Sequence, residues 1–193
     1  MIDALLATSP IEAAAVALGL VYVVLAAAGS RWCWPAGGAS AALLVWVSWQ
    51  GRLPMQALLQ AFYVVISVQG WLRWSAPATA QIGFWPWRRH VVAIAVTLAG
   101  SALGTWLLAS RLESAAPFID VSTTLFSLLA TWLTTRMRIE NWIYWIVIDS
   151  VLAWLYFAQG LRATALLFVI YLGVCIAGVL TWTKRYRSQT SPA

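Results

Sequence analysis

Read from the amino terminus, the chain alternates long apolar runs with short polar breaks. The runs cover roughly 11–29, 35–50, 54–74, 89–109, 117–136, 139–159 and 162–183, each close to the approximately 20 residues that cross a bilayer core as a helix. The second run is the shortest. The breaks carry turn chemistry: Arg31 to Gly38 with Pro35, Gly51 to Pro54, Ser75 to Pro86, Arg111 to Pro117, Arg136 to Glu140, and Gly160-Leu161-Arg162. The pattern predicts an all-α integral membrane protein with seven transmembrane helices.

Within two runs the polar positions share a face. On an ideal helix with Trp142 at zero, Trp145 lies about 60° away, Asp149 about 20° and Asn141 about 100°, all to the same side. In the third run Gln56, Gln60, Tyr63, Ser67, Trp71 and Trp74 fall within an arc of about 80°, with Gln69 opposite. Polar side chains on a membrane helix are costly and point into a protein-lined cavity or pair with a neighbouring helix. Both readings stay open for Gln60, Tyr63 and Ser67, whereas Trp74, beside Arg73, reads as an interface anchor. Ala93, Thr97 and Ser101, with the Gly100-to-Gly104 stretch, give the fourth run a small-residue face suited to close packing.

The first three runs reappear in the last three at a constant offset of 108 positions. Trp34 falls on Trp142, Trp46 on Trp154, Tyr63 on Tyr171, Gly70 on Gly178 and Trp74 on Trp182. A gapless repeat of such landmarks predicts two parallel three-helix bundles joined by a linker helix (3+1+3), with substrate held between them near the midplane. The corresponding domains are 1–86, 87–112 for the linker, and 113–193 with a basic tail. The repeat is imperfect where chemistry matters. Phe168 replaces Gln60, Cys175 replaces Ser67, and Trp145 and Asp149 stand where the first half has Gly37 and Ala41. Trp142 thus has an architectural twin, and selectivity is expected at Trp145 and Asp149.

Composition agrees: 62% of residues are hydrophobic, 9% are charged, and mean hydropathy is +0.80. Met1 to Pro10 lack the basic region of a signal peptide, so the first run is expected to serve as a span itself. Arg31, Arg73, Arg88, Arg89, Arg136, Arg138, Lys184, Arg185 and Arg187 fall on one side of the spans. Only Arg52, Arg111 and Arg162 fall on the other. The basic side is expected to be cytoplasmic, with the amino terminus outside and the carboxyl terminus inside. The net charge of +6 therefore reflects topology and anionic headgroups of the lipid bilayer, with no nucleic acid as partner.

Cys33 and Cys175 lack a pairing framework or metal spacing and read as small buried hydrophobes. His90 stands alone, and no Walker loop, nucleophile elbow or paired carboxylates occur, so neither an enzyme nor a cofactor is expected. Asp3, Glu12, Glu113 and Asp120 sit in a tail, at a helix end or in a loop, Glu140 is placed to cap a helix start, and Asp149 is deep in a span. Trp faces, amides and one carboxylate suit a polar, partly aromatic small molecule, neutral or cationic.

These residues resemble the PnuC family of vitamin transporters. The likeness runs through Leu20 to Leu25, Trp32-Cys33-Trp34-Pro35, Leu59 to Trp74, Arg138-Ile139-Glu140-Asn141-Trp142 leading to Trp145 and Asp149, Leu155-Tyr156, Gly160-Leu161, Thr164 to Leu167, and Tyr171-Leu172. It departs at Gln69, where Tyr is expected, and at Gly51-Arg52, where an acidic residue is expected. The resemblance implies a homotrimer in the bacterial inner membrane. It also implies facilitated diffusion of nicotinamide riboside, or of thiamine, riboflavin or a nucleoside, trapped by a cytoplasmic kinase that need not touch the carrier. It implies that Trp142 and Trp145 sandwich a ring while Asn141, Gln60 and polar groups on helices 3 and 7, among them Tyr63, Ser67 and Tyr171, bind ribose or amide. A capture subunit for a separate ATPase and a parallel-repeat sugar carrier are the competing readings.

Overall fold

The computed structural model describes residues 9–52, 54–76, 81–108 and 116–190. Asp3, Arg111 and Glu113 lie outside them. The helices are α1 Pro10–Ala27, α2 Cys33–Gln50, α3 Pro54–Ser75, α4 Trp87–Leu108, α5 Pro117–Thr135, α6 Asn141–Ala158 and α7 Arg162–Thr190. Five of the seven, all but α2 and α3, are long and apolar enough to cross a membrane. The first six end within about two residues of the apolar runs. The last continues beyond position 183 because Lys184, Arg185 and Arg187 are good helix formers that extend it past the apolar segment.

Local chemistry sets the ends. Ser9 and Glu12 form a reciprocal capping box at the start of α1, with Pro10 as its first residue. That helix stops in a Schellman turn: the Gly29 amide donates to the Ala26 carbonyl and the Ser30 amide to Leu25. The equivalent turn ends α5, where the Met137 amide donates to Thr134 and the Arg138 amide to Leu133. The repeat is thus written into the backbone. Among the described residues the four with positive φ form two pairs at the repeat spacing: Gly29 (64°) with Met137 (52°), and Arg52 (55°) with Gly160 (78°).

Helix α2 packs between α1 and α3, and α6 between α5 and α7. The two sets join where α7 meets α1 and α3 meets α5. Among the described residues α1 does not pack on α3, nor α5 on α7, so neither set closes on itself. The third helix of each closes against the first helix of the other. The six form a ring in the order α1, α2, α3, α5, α6, α7, and α4 lies outside it against α5.

The core sits at the basic end of this ring and is built from tryptophan. Trp34 meets Trp74 edge to face at 5.4 Å, Trp142 meets Trp182 at 5.5 Å, and Trp74 and Trp182 meet each other at 5.6 Å. Two bonds tie the halves together reciprocally. Trp74 Nε1 donates to the Thr134 carbonyl at 3.2 Å and Trp182 Nε1 to the Ala26 carbonyl at 3.1 Å, atoms that correspond under the repeat. Trp74, expected as an interface anchor, is therefore a core residue, buried because α7 brings Trp182 across the axis to cover it. Helices in lipid gain nothing from hydrophobic contact with each other, so close packing and such hydrogen bonds specify the arrangement.

Glycines allow that packing. A Cβ at Gly178 would lie 2.6 Å from the Trp142 ring, and one at its counterpart Gly70 would enter the Trp34 ring. Many outward-facing side chains are apolar, among them Val65, Val96 and Leu180, while Gln69 on α3 is also exposed. Trp46, Trp49, Trp106 and Trp154 are exposed toward the ends of α2, α4 and α6, as an aromatic belt requires. The segment before α4 is pinned to the α5–α6 turn, the Gly83 amide donating to Met137 and the Ile139 amide to Gly83.

Candidate functional site

Inside the ring, above the tryptophan layer, lies a cavity of about 260 Å³ bounded by α1, α5, α6 and α7. Trp142, Trp145 and Asp149 line it from α6, and Phe168, Tyr171 and Cys175 from α7. The spacing of three or four residues along each helix puts every one of these on the inner face. Tyr22 and Gly19 close it from α1. Asp149 is buried, and its carboxylate accepts the Cys175 thiol at 3.5 Å. Phe168 stacks on Tyr156 with planes 10° apart and meets Tyr171 edge to face.

The cavity therefore offers aromatic faces, a phenol and a buried carboxylate. The indole N–H of Trp142 is also buried with no partner among the described residues, as is that of its twin Trp34. A few convergent polar groups in an otherwise aromatic concavity are what a small-molecule site needs.

The eight residues singled out in the sequence divide three ways. Trp142, Trp145, Asp149 and Tyr171 meet in this cavity. Asn141 is fully buried and does not line it: its amide Nδ2 donates to the Arg138 carbonyl at 2.6 Å, and its Oδ1 accepts the Thr134 hydroxyl at 3.1 Å. Gln60, Tyr63 and Ser67 lie on α3, a helix that contributes no residue to the cavity lining among the described residues. They correspond to Phe168, Tyr171 and Cys175 under the 108-residue offset, and none of the three on α3 lines this cavity. Ser67 turns its hydroxyl onto the Tyr63 carbonyl at 2.7 Å and packs under Gly38.

Sequence reasoning passed over Tyr22 as a cavity residue. Gly37, the counterpart of Trp145, leaves the space that the Tyr22 ring enters, and the missing side chain was the available signal. Glu140, expected to cap α6, makes no cap bond. Its carboxylate instead accepts the Trp85 amide at 2.6 Å and approaches His90 Nε2 at 3.2 Å, while His90 Nδ1 lies 2.9 Å from the Tyr144 hydroxyl. His90 thereby ties α4 to α6. It borders a larger cleft of about 590 Å³ between α4, α5 and α6, lined mainly by apolar side chains such as Ile94, Leu98 and Phe118. Its polar groups His90, Glu140 and Tyr144 are bonded to one another, and Thr123 is bonded to its own helix, which leaves that cleft the weaker site.

Residues 9–184 match the model of the family described as nicotinamide mononucleotide transporter. The riboflavin/roseoflavin transporter RibM of Streptomyces davaonensis is 26% identical over 182 residues, covering 91% of this chain and 85% of its own. The nicotinamide riboside transporter PnuC of Escherichia coli is 24% identical over 176 residues, covering 76% and 74%. A crystal structure of the vitamin B3 transporter PnuC shares the fold with a TM-score of 0.70 at 24% identity, over 93% of this chain and 83% of that one. With nearly the whole chain matched by one family model and the same helical fold in a solved member, the protein belongs to the PnuC-type, multi-pass membrane transporters of the nicotinamide mononucleotide transporter family.

Proposed function

We propose that this protein is a uniporter for a small vitamin with a flat ring, nicotinamide riboside first. The observation that carries this reading is the meeting of Trp145, Tyr171 and the buried Asp149 in one cavity inside the helix ring. Trp145 stacks on the ring, with a cation–π contribution of roughly 0.5–2 kcal/mol when the ring is a pyridinium. Asp149 balances its charge or accepts ribose hydroxyls, Trp142 donates its free N–H, and Tyr171 contacts the sugar. Gln60, Tyr63 and Ser67 take part when the halves move and bring α3 to the solute. Asn141 positions Trp142 through its bonds to Thr134 and Arg138.

In this reading the helices work as a 3+1+3 pair of repeats about an axis along the membrane normal, with domains at 1–86, 87–112 and 113–193. The tryptophan layer shuts the basic, cytoplasmic end, and the amino terminus lies outside. Rocking of the halves opens the cavity to each side in turn, in a homotrimer of independent carriers in the bacterial inner membrane. No cofactor or ion drives it, and a cytoplasmic kinase traps the product without touching the carrier. Riboflavin is the second reading, favoured by the 26% identity to the riboflavin/roseoflavin transporter across 91% of this chain.

The test is uptake of labelled nicotinamide riboside or riboflavin into liposomes holding the purified chain. Entry without an ion gradient that stops at equal concentrations is expected. Accumulation driven by a proton or sodium gradient contradicts the mechanism, and a requirement for an added ATPase turns it to the capture-subunit reading.

A further inference from the structure

On the far side of the tryptophan layer from the cavity is a second recess of about 300 Å³. Its floor is the buried trio Trp74, Ile82 and Met137, and its rim carries Arg31, Arg185 and Gln189. Both arginines are held by their surroundings. The Arg31 guanidinium lies over the Trp71 ring at 4.9 Å, and Arg185 donates Nη1 to the Gly29 carbonyl at 3.3 Å. A guanidinium has five N–H donors, so each keeps several for a ligand.

No carboxylate faces this recess among the described residues. Glu12 and Asp120 lie in the first turns of α1 and α5 at the opposite end. Asp149 is beyond the tryptophan layer, and Glu140 is turned toward Trp85 and His90. The same end carries further positive charge: the Arg136 guanidinium is pushed below its ordinary value, first by desolvation and then by Arg73, Arg138 and Arg89. Two exposed, forked cations beside an amide, over a partly aromatic floor and with no carboxylate facing them among the described residues, match a phosphoryl group in charge and donor geometry.

We propose that this recess is an anion site for a phosphate ester, held by Arg31 and Arg185 with Gln189 as an additional donor. The ester is supplied either by a phosphorylated solute or by a phospholipid headgroup. The site is separate from the vitamin cavity, and its test involves no vitamin.

The full chain, purified in a maltoside detergent that carries no phosphate, is titrated calorimetrically with ribose 5-phosphate, with ribose as the uncharged control. Saturable heat is expected with the ester and none with ribose, weakening as salt rises. Arg31→Gln and Arg185→Gln should each reduce affinity about tenfold or more, while Arg162→Gln, at the other end of α7, leaves it unchanged. Unaltered thermal melting of the variants shows that they fold. A second titration in phosphatidylglycerol nanodiscs separates the sources. Loss of ester binding there assigns the site to lipid headgroups, and retention assigns it to soluble phosphate esters. Absence of heat in detergent, equal heat with ribose, or undiminished affinity in the doubly substituted chain overturns the proposal.

Discussion

At the residue scale, the cavity gives unequal roles to side chains that looked alike in sequence. Trp142 is wedged against Gly178 and Trp182, and its substitution would disturb the fold before it reported on binding. Trp145 is only partly buried, packs against the core and lines the cavity, so Trp145→Ala tests binding more cleanly. It should weaken the vitamin by about tenfold, or about 1.4 kcal/mol, in calorimetry with little change in melting temperature. Asp149→Asn distinguishes the substrates: a cationic nicotinamide ring should lose roughly tenfold, and neutral riboflavin about threefold or less. A backbone prediction concerns Arg52, exposed and held at a φ of 55°. Arg52→Gly, matching its counterpart Gly160, relieves left-handed strain and should stabilise by about 0.5–1 kcal/mol, read as a higher melting temperature.

At the element scale, the repeat makes paired predictions. Gly70→Ala and Gly178→Ala each force a methyl into a tryptophan ring and should destabilise by about 1–3 kcal/mol in detergent unfolding. Gly173→Ala meets nothing within 4 Å and should be neutral or slightly stabilising. The helices themselves were legible, because long apolar runs and Pro or Gly breaks dictate where spans start and stop. The 108-residue offset was legible too, since Trp, Gly and Tyr mark it. What pairing the offset produces was not. Nothing in a single chain says that Trp74 reaches the α5 carbonyl of Thr134 and Trp182 the α1 carbonyl of Ala26, because helix partners across a ring leave no local pattern. Glu140 shows the same limit: its position at a helix start suggests a cap, and a tertiary partner, the Trp85 amide, takes the carboxylate instead.

At the scale of the whole molecule, six helices form a ring, four of them line a cavity that Trp142 borders, and a basic recess lies on the other side of the tryptophan layer. Half of the residues marked as a binding face in the sequence converge in the cavity, from α6 and α7. Those on α3 do not line it, because helical periodicity shows which residues share a face but not what that face packs against. The lining is asymmetric: Trp142, Trp145, Asp149, Phe168 and Tyr171 come from α6 and α7, and Gly19, Tyr22, Val23 and Ala26 come from α1. The most direct test is a calorimetric screen of the purified chain against nicotinamide riboside, thiamine, riboflavin and nucleosides, repeated with Trp145→Ala. Saturable heat from nicotinamide riboside or riboflavin, weakened about tenfold by the substitution, is the predicted result. No heat from any of these compounds, or binding that Trp145→Ala leaves unchanged, would contradict the assignment of the cavity.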